Sequence, residues 1–300
     1  MNILITGGTG FIGSALCDHL LAQQHTLTVV SRKTVHNRTD ITFIQHIGDI
    51  DADSSFDVVI NLAGEPIADK RWSEKQKQVI LSSRLDTTKA IIAYLQTAKS
   101  QPKLLISASA IGFYGIQSNT ASFTASIDES GSSDESFASQ LCLKWEEAAL
   151  QAQELGIRTC LLRIGIVLGP KGGALKKMLP PFKLGLGGKI GDGSQWMPWI
   201  HRDDLIRIMD FCIQEDTLSG PINCTAPNPV TNLEFSKALG KALNRPTILP
   251  MPAAVVKTLM GQMGEELLLS GKKVVPQKLA NSGFQFEFEQ VLPALQNAVK

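Results

Sequence analysis

Tyrosine is nearly missing from this chain, with only Tyr94 and Tyr114 in 300 residues. Chemistry that needs a phenol to move a proton therefore has two candidates. Cysteine is sparse and scattered: Cys17, Cys142, Cys160, Cys212 and Cys224 form no C-x-x-C pair, and their odd count argues against a disulfide framework or a structural zinc site. No metal is expected. A charge excess of either sign is also lacking. Twenty-nine Lys and Arg stand against 28 Asp and Glu, and the basic residues are dispersed, so no electrostatic footprint points to nucleic acid or to an anionic membrane surface. No apolar run approaches the roughly 20 residues of a membrane span. With no charged leader ahead of the first apolar segment, the expected location is cytoplasmic.

What is present is a globular composition, 43% hydrophobic, enough for one large core or two smaller ones. Its most informative stretch is Ile3-Leu4-Ile5-Thr6-Gly7-Gly8-Thr9-Gly10-Phe11-Ile12-Gly13. A short apolar strand runs into glycines spaced G-x-x-G-x-x-G, and an amphipathic segment, Phe11 to Gln24, follows. Gly7 permits a tight turn, Gly10 lets the backbone approach a pyrophosphate, and Gly13 lets helix pack on strand. The helix N-terminus aims N–H groups and its positive dipole end at that phosphate. Thr9, Phe11 and Ile12 complete the expected contact surface of a dinucleotide.

Short apolar runs then alternate with helical periods, the pattern of a parallel sheet covered by helices. Strands are expected at Asn2–Thr6, Thr26–Ser31, Thr42–His46, Asp57–Asn61, Lys103–Ser109 and Arg158–Arg163, and long helices at Ser73–Lys99 and Ser133–Leu155. Right-handed crossovers would align the loops at the strand C-terminal ends along one crevice. Beyond Gly165 the texture becomes rich in Gly, Pro and Lys. A capping box, Thr231-x-x-Glu234, opens a helix to Leu243; Pro252–Gly261, Glu265–Leu269 and Phe286–Asn297 read as helical, and Lys272–Pro276 as extended. The expected fold is α/β: a doubly wound parallel sheet in residues 1–165, with 195–226 returning to it. A smaller α+β substrate lobe is expected from 166–194 and 227–300. Ser118–Ser139 reads as a mobile rim loop.

The turn after the second strand discriminates between dinucleotides. A carboxylate there would accept from the ribose 2′-hydroxyl of NAD, whereas a 2′-phosphate needs cations. This chain has Ser31-Arg32-Lys33, so NADP(H) is the expected cofactor. Asp49 either accepts from the adenine amino group or caps a turn. Leu62, Ala63 and Gly64, after Asn61, are small enough for backbone to lie against adenosine and ribose.

These elements, with Ser107-Ala108-Ser109, Tyr114-Gly115 and Trp199-Ile200-His201-Arg202-Asp203-Asp204, resemble the extended short-chain dehydrogenases and nucleotide-sugar epimerases. More narrowly, Pro66-Ile67-Ala68-Asp69-x-Arg71-Trp72, Ser83-Arg84, Pro227-x-Pro229-Val230-Thr231-Asn232-x-Glu234-Phe235 and the C-terminal tail resemble an uncharacterised epimerase-like subfamily ending in a domain of unknown function. The resemblance covers essentially the whole chain. It implies a Rossmann-type fold and a nicotinamide cofactor, without naming a substrate.

The chain departs from the wider family's chemistry, a Tyr-x-x-x-Lys pair in which the lysine lowers the phenol pKa. Four residues beyond Tyr94 and Tyr114 stand Ala98 and Ser118, and aligning the later helix by Glu146 puts Ala138 and Cys142 where that pair would be. Ser109 and Tyr114 remain as catalytic candidates, with Glu65, Arg71 and His201 as candidates for the substrate pocket and Asp69 beside them. His201 reads either as a satisfied core histidine or as a general base. Asp203 or Asp204 is expected to cap a helix starting at Leu205. Two functions survive: an NADP-dependent oxidoreductase or epimerase acting on a small or nucleotide-linked molecule, and a non-catalytic NADP(H)-binding regulator or sensor. The two long helices offer a face for a homodimer.

Overall fold

A computed structural model describes residues 1–32, 38–51, 53–116 and 125–300. In its first half, β1 (Asn2–Thr6) leads to α1 (Phe11–Ala22), β2 (Thr26–Val30), β3 (Thr42–Ile44), β4 (Val58–Asn61), α2 (Glu74–Thr97) and β5 (Leu104–Ala110). Next come β6 (Ser126–Ile127), α3 (Phe137–Leu150), β7 (Arg158–Ile164), β8 (Ile166–Leu168), α4 (Leu175–Lys183), β9 (Trp196–Met197) and β10 (Trp199–His201). The remainder is α5 (Arg202–Gln214), β11 (Gly220–Cys224), β12 (Val230–Thr231), α6 (Asn232–Leu243), α7 (Ala253–Met260), α8 (Gln262–Leu267), β13 (Lys273–Val274), α9 (Gln277–Asn281) and α10 (Val291–Ala298).

Seven strands form one sheet in the order β11-β7-β5-β4-β1-β2-β3, with every pairing parallel. This is a doubly wound, Rossmann-like α/β fold. Ile3, Leu4 and Ile5 of β1 are fully buried because helices cover both faces of the sheet. On one face Leu16 and Leu20 of α1 and Ile206, Met209 and Cys212 of α5 pack on Ile3, Ile5 and Val29. Ile91, Ile92 and Leu95 of α2 pack with Ala149 and Ala152 on Leu4, Val59 and Leu105 on the other. Each buried Leu, Ile, Val or Met side chain among these contributes about 1.5–3 kcal/mol of transfer free energy. The strand order reverses between β1 and β4, where a doubly wound sheet opens its ligand crevice. A separate core joins Leu168, Phe182, Trp199, Phe235, Leu239, Val291 and Leu295 in the second half.

Several elements depart from the expected boundaries, α3 among them, which starts at Phe137 rather than Ser133. β11 is a sheet strand within the 195–226 segment expected to return to the sheet, where no strand was placed; Pro221 lies on the sheet edge, where a missing N–H costs little. The last helix begins at Val291 rather than Phe286, because the N–H groups of Glu287 and Phe288 donate to the Asp204 carboxylate at 2.8 and 2.9 Å. α5 starts at Arg202 rather than Leu205, and its N-cap is His201, whose Nδ1 accepts from Asp203 N–H. The Thr231–Glu234 capping box forms as expected. Residues 118–124 of the expected rim loop lie outside the described residues. No helix among the described residues is long and apolar enough to cross a membrane.

Candidate dinucleotide crevice

The glycine turn lies between β1 and α1, and each glycine there has a steric reason. Gly7 has φ +73°, and a Cβ on it would lie 2.7 Å from the carbonyl of Leu62, so β1 and the loop after β4 approach to backbone contact. A Cβ on Gly13 would lie 2.2 Å from Gly7 O, which is the close helix–strand packing the spacing implied. Among the described residues, a Cβ on Gly10 would meet only Gly7 O, at 3.2 Å, so the outer side of the turn is open. Gly10 N–H donates to Gly7 O at 3.0 Å and closes the turn. α1 has no side-chain cap and no acid in its first turn, so its N-terminus carries an uncompensated positive dipole. Thr9 is exposed and Ile12 half-buried. The Phe11 ring packs against Gly172 and Gly173 of the loop after β8, with the Arg202 guanidinium 5.4 Å from its centroid.

At the end of β2, Ser31 is buried and its N–H donates to Ile44 O at 2.9 Å, while Arg32 is exposed. Lys33 lies outside the described residues. Asp49 sits in a 3-10 turn, and one of its oxygens accepts from His46 N–H at 3.0 Å. Of the two roles open to it, turn capping is therefore already filled by one oxygen. Below Leu62, Ala63 and Gly64, a buried chain holds the loop. Thr6 Oγ1 donates to Asn61 Oδ1 at 2.7 Å, Asn61 Nδ2 to Thr88 Oγ1 at 2.9 Å, and Trp145 Nε1 to the same Thr88 oxygen at 3.1 Å.

The end of β5 holds a denser network. Ser109 Oγ donates to Glu146 Oε1 at 2.6 Å. Arg163 grips the same carboxylate with two parallel bonds, Nε to Oε1 and Nη2 to Oε2, both 2.9 Å, and the pair is 4% and 6% exposed. Arg163 Nη1 also donates to the Tyr114 hydroxyl at 3.0 Å, and that hydroxyl donates to Asn223 Oδ1 at 2.6 Å. Tyr114 is 1% exposed, and burial pushes its pKa up, with Arg163 opposing. Of the two expected catalytic candidates, Tyr114 therefore has its proton directed at Asn223 and its acceptor side at Arg163, while Ser109 has its proton directed at Glu146. Sequence reasoning had used Glu146 only as an alignment mark and had passed over Arg163. A lone Glu on the apolar face of α3 and an Arg closing the apolar run Thr159–Leu162 were the available signals.

The pocket candidates separate. Glu65 follows Gly64 directly, and its N–H donates to Ser83 Oγ at 2.9 Å. Arg71 is exposed and lies against Gly261, where an added Cβ would meet Nη2 at 3.1 Å. Asp69 pairs with Lys177 at 2.8 Å, tying the loop after β4 to α4. His201 belongs to a different environment: it is fully buried, caps α5 and stacks on Phe288 with centroids 3.9 Å apart. Burial lowers its pKa; Nδ1 accepts from Asp203 N–H, and Nε2 is buried with no hydrogen-bond partner among the described residues, so the satisfied-core reading holds at one nitrogen only. Cys142 is buried, and burial pushes its thiol up to about 11, which rules it out as a nucleophile at neutral pH. Among the described residues no cluster of three or more His, Cys, Asp or Glu could hold a metal.

The NAD dependent epimerase/dehydratase family model matches residues 3–224, and a domain of unknown function (DUF1731) matches residues 251–298. The epimerase family protein Mb2239 of Mycobacterium bovis is 40% identical over 295 residues, covering 98% of this chain and 96% of that one. The human epimerase family protein SDR39U1 is 39% identical over 302 residues, covering both chains fully. The crystal structure of that human protein (isoform2) with NADPH superposes with a TM-score of 0.89 at 37% identity, over 99% of each chain. A UDP-glucuronic acid 4-epimerase from Bacillus cereus, solved with NAD, reaches a TM-score of 0.77 at 19% identity, covering 99% of this chain and 95% of that one, a likeness of fold.

Proposed function

This chain belongs to the NAD-dependent epimerase/dehydratase family, and from that premise we propose that it binds NADP(H) and acts as an oxidoreductase, or an epimerase, on a small or nucleotide-linked substrate. The observation that carries the cofactor choice is the end of β2, where Ser31 and exposed Arg32 stand and no carboxylate does. NADPH in the crystal of the human relative supports the same choice. The open side of Gly10 and the uncapped start of α1 fit a pyrophosphate, Ser31 and Arg32 a 2′-phosphate, and Leu62–Gly64 the adenosine and ribose. Thr9, Phe11 and Ile12 border the phosphates, and the free oxygen of Asp49 suits the adenine amino group.

When bound, the cofactor supplies hydride exchange at a substrate carbon. The proton falls to the chain's own residues. Because Ser109 already directs its hydrogen at Glu146, its oxygen can accept the proton of a substrate hydroxyl while its own passes to the carboxylate. In reduction the same path runs in reverse. Arg163 fixes the carboxylate at both oxygens, so the acceptor does not wander. Glu65 and Arg71 border the substrate side.

A second reading, a regulatory NADP(H) sensor, is favoured by one specific observation: Tyr114 points its proton into the interior, and Ala138 and Cys142 offer no substitute. Single-turnover oxidation of bound NADPH over a panel of aldehydes and ketones separates the two. The enzyme reading predicts oxidation that slows by about two decades in Ser109→Ala, with NADPH affinity unchanged. No oxidation by any member of the panel favours the sensor.

A further inference from the structure

Resting on the cofactor reading above, we propose that Arg84 is the anchor for a carboxylate of the substrate. Arg84 lies on α2 and reaches under the loop after β4. Its Nη1 donates to Ile80 O at 3.0 Å and Glu65 O at 3.1 Å, which uses both hydrogens of that nitrogen. The plane is held between two walls: Cζ lies 5.1 Å from the Trp145 ring, and a Cβ on exposed Gly64 would come within 3.1 Å of Cζ and 3.2 Å of Nη2. Trp145 is itself fixed through Nε1 to Thr88.

What remains is the edge formed by Nε and Nη2, the two parallel donors that match the oxygens of a carboxylate. This molecule uses the same edge twice elsewhere. Arg38 sets Nε and Nη2 on Asp40, each at 2.9 Å, and Arg163 sets them on Glu146. Arg84 alone of these three has no carboxylate partner among the described residues. Glu65 offers it a main-chain carbonyl instead of its side chain. Burial pushes the guanidinium pKa down, and the nearby Glu65 charge opposes this only in part. A partly buried cation with no carboxylate in direct contact, beside the loop after β4, gains from a ligand that brings one. A planar two-oxygen anion matches the fork, and exposed Gly64 lies against the guanidinium, where any side chain would crowd it.

The test uses the full chain loaded with NADPH, titrated calorimetrically with pyruvate and with 2-oxoglutarate, and with acetone as the partner lacking a carboxylate. At least one of the two acids should saturate and acetone should not. Arg84→Met, which keeps packing on Trp145, should weaken the acid by about tenfold or more, and Arg84→Lys should recover only part, since an ammonium cannot fork. NADPH affinity should stay within about threefold in both variants. Should Arg84→Met fail to fold, Arg84→Lys carries the comparison. Failure of both acids to bind the NADPH-loaded protein overturns the proposal. So does equal acid affinity in the parent and Arg84→Met, and so does a loss of NADPH affinity in place of acid affinity, which would assign the fork to the cofactor's ribose diol. If NADPH itself did not bind, the cofactor reading would fail instead.

Discussion

Glu146→Gln removes one charge from the buried pair at the end of β5 while keeping its volume. Arg163 then faces an amide whose NH2 group cannot accept, so one of its two 2.9 Å bonds becomes a donor against a donor. Ser109 keeps an acceptor only if the amide oxygen turns toward it. With both side chains about 95% withdrawn from water, the unpaired guanidinium cannot recover solvation. Breaking such a pair from one side costs about 3–5 kcal/mol. For a chain of this size that corresponds to a fall in Tm of about 5–8 °C. Glu146→Leu combined with Arg163→Met should be less harmful than either single change, because it leaves no stranded charge. It still deprives Ser109 of its acceptor, so it should settle about 1–2 kcal/mol below the parent. Urea unfolding of the five proteins (the parent, Glu146→Gln, Glu146→Leu, Arg163→Met and the double variant) reads this through Cm at constant m. If Glu146→Gln cost less than about 1 kcal/mol, the pair would be behaving as an exposed one, and the argument from its burial would be refuted.

Other expectations follow from the same geometry. Gly10→Val should leave the fold intact but abolish NADPH binding, since its added atoms occupy the open side of the turn; normal affinity by calorimetry would reduce the glycine to a fold element. Gly13→Ala should instead unfold or strongly destabilise the chain, because its Cβ would lie 2.2 Å from Gly7 O; an unchanged thermal melt contradicts this. His201 has a folded-state pKa below its unfolded value, so the unfolded chain takes up the proton first and stability, full above about pH 6.5, falls as pH drops. Melts from pH 7.5 to 5.5 should slope less in His201→Asn, which keeps a capping acceptor without titrating. An identical slope in both proteins would place the titrating group elsewhere.

The sheet was largely legible in the sequence because local signals and burial agree there. β1 is short, apolar and β-branched, and the Thr231–Glu234 box marks a helix start by chemistry acting over three residues. β11 opens on Gly220 and Pro221, poor strand formers whose place is set by a partner strand the local pattern does not show. The site was legible where one loop makes it, as in Gly7–Gly13, and illegible where distant residues meet. Tyr114 turns inward because of Asn223, 109 residues away, and Ser109 gains its acceptor from Glu146, 37 residues on. The capping of α5 by His201 rather than by Asp203 or Asp204 was missed because Asp204 is drawn off to the backbone of Glu287 and Phe288.

The central claim, a crevice built for a 2′-phosphorylated dinucleotide, is tested most directly by calorimetric titration of the unmodified protein and Arg32→Ala with NADPH and NADH. NADPH should bind the unmodified protein more tightly by about 1.5–3 kcal/mol, the worth of a charge-assisted contact, and Arg32→Ala should erase most of that difference. Equal affinities for the two cofactors in the unmodified protein would contradict it.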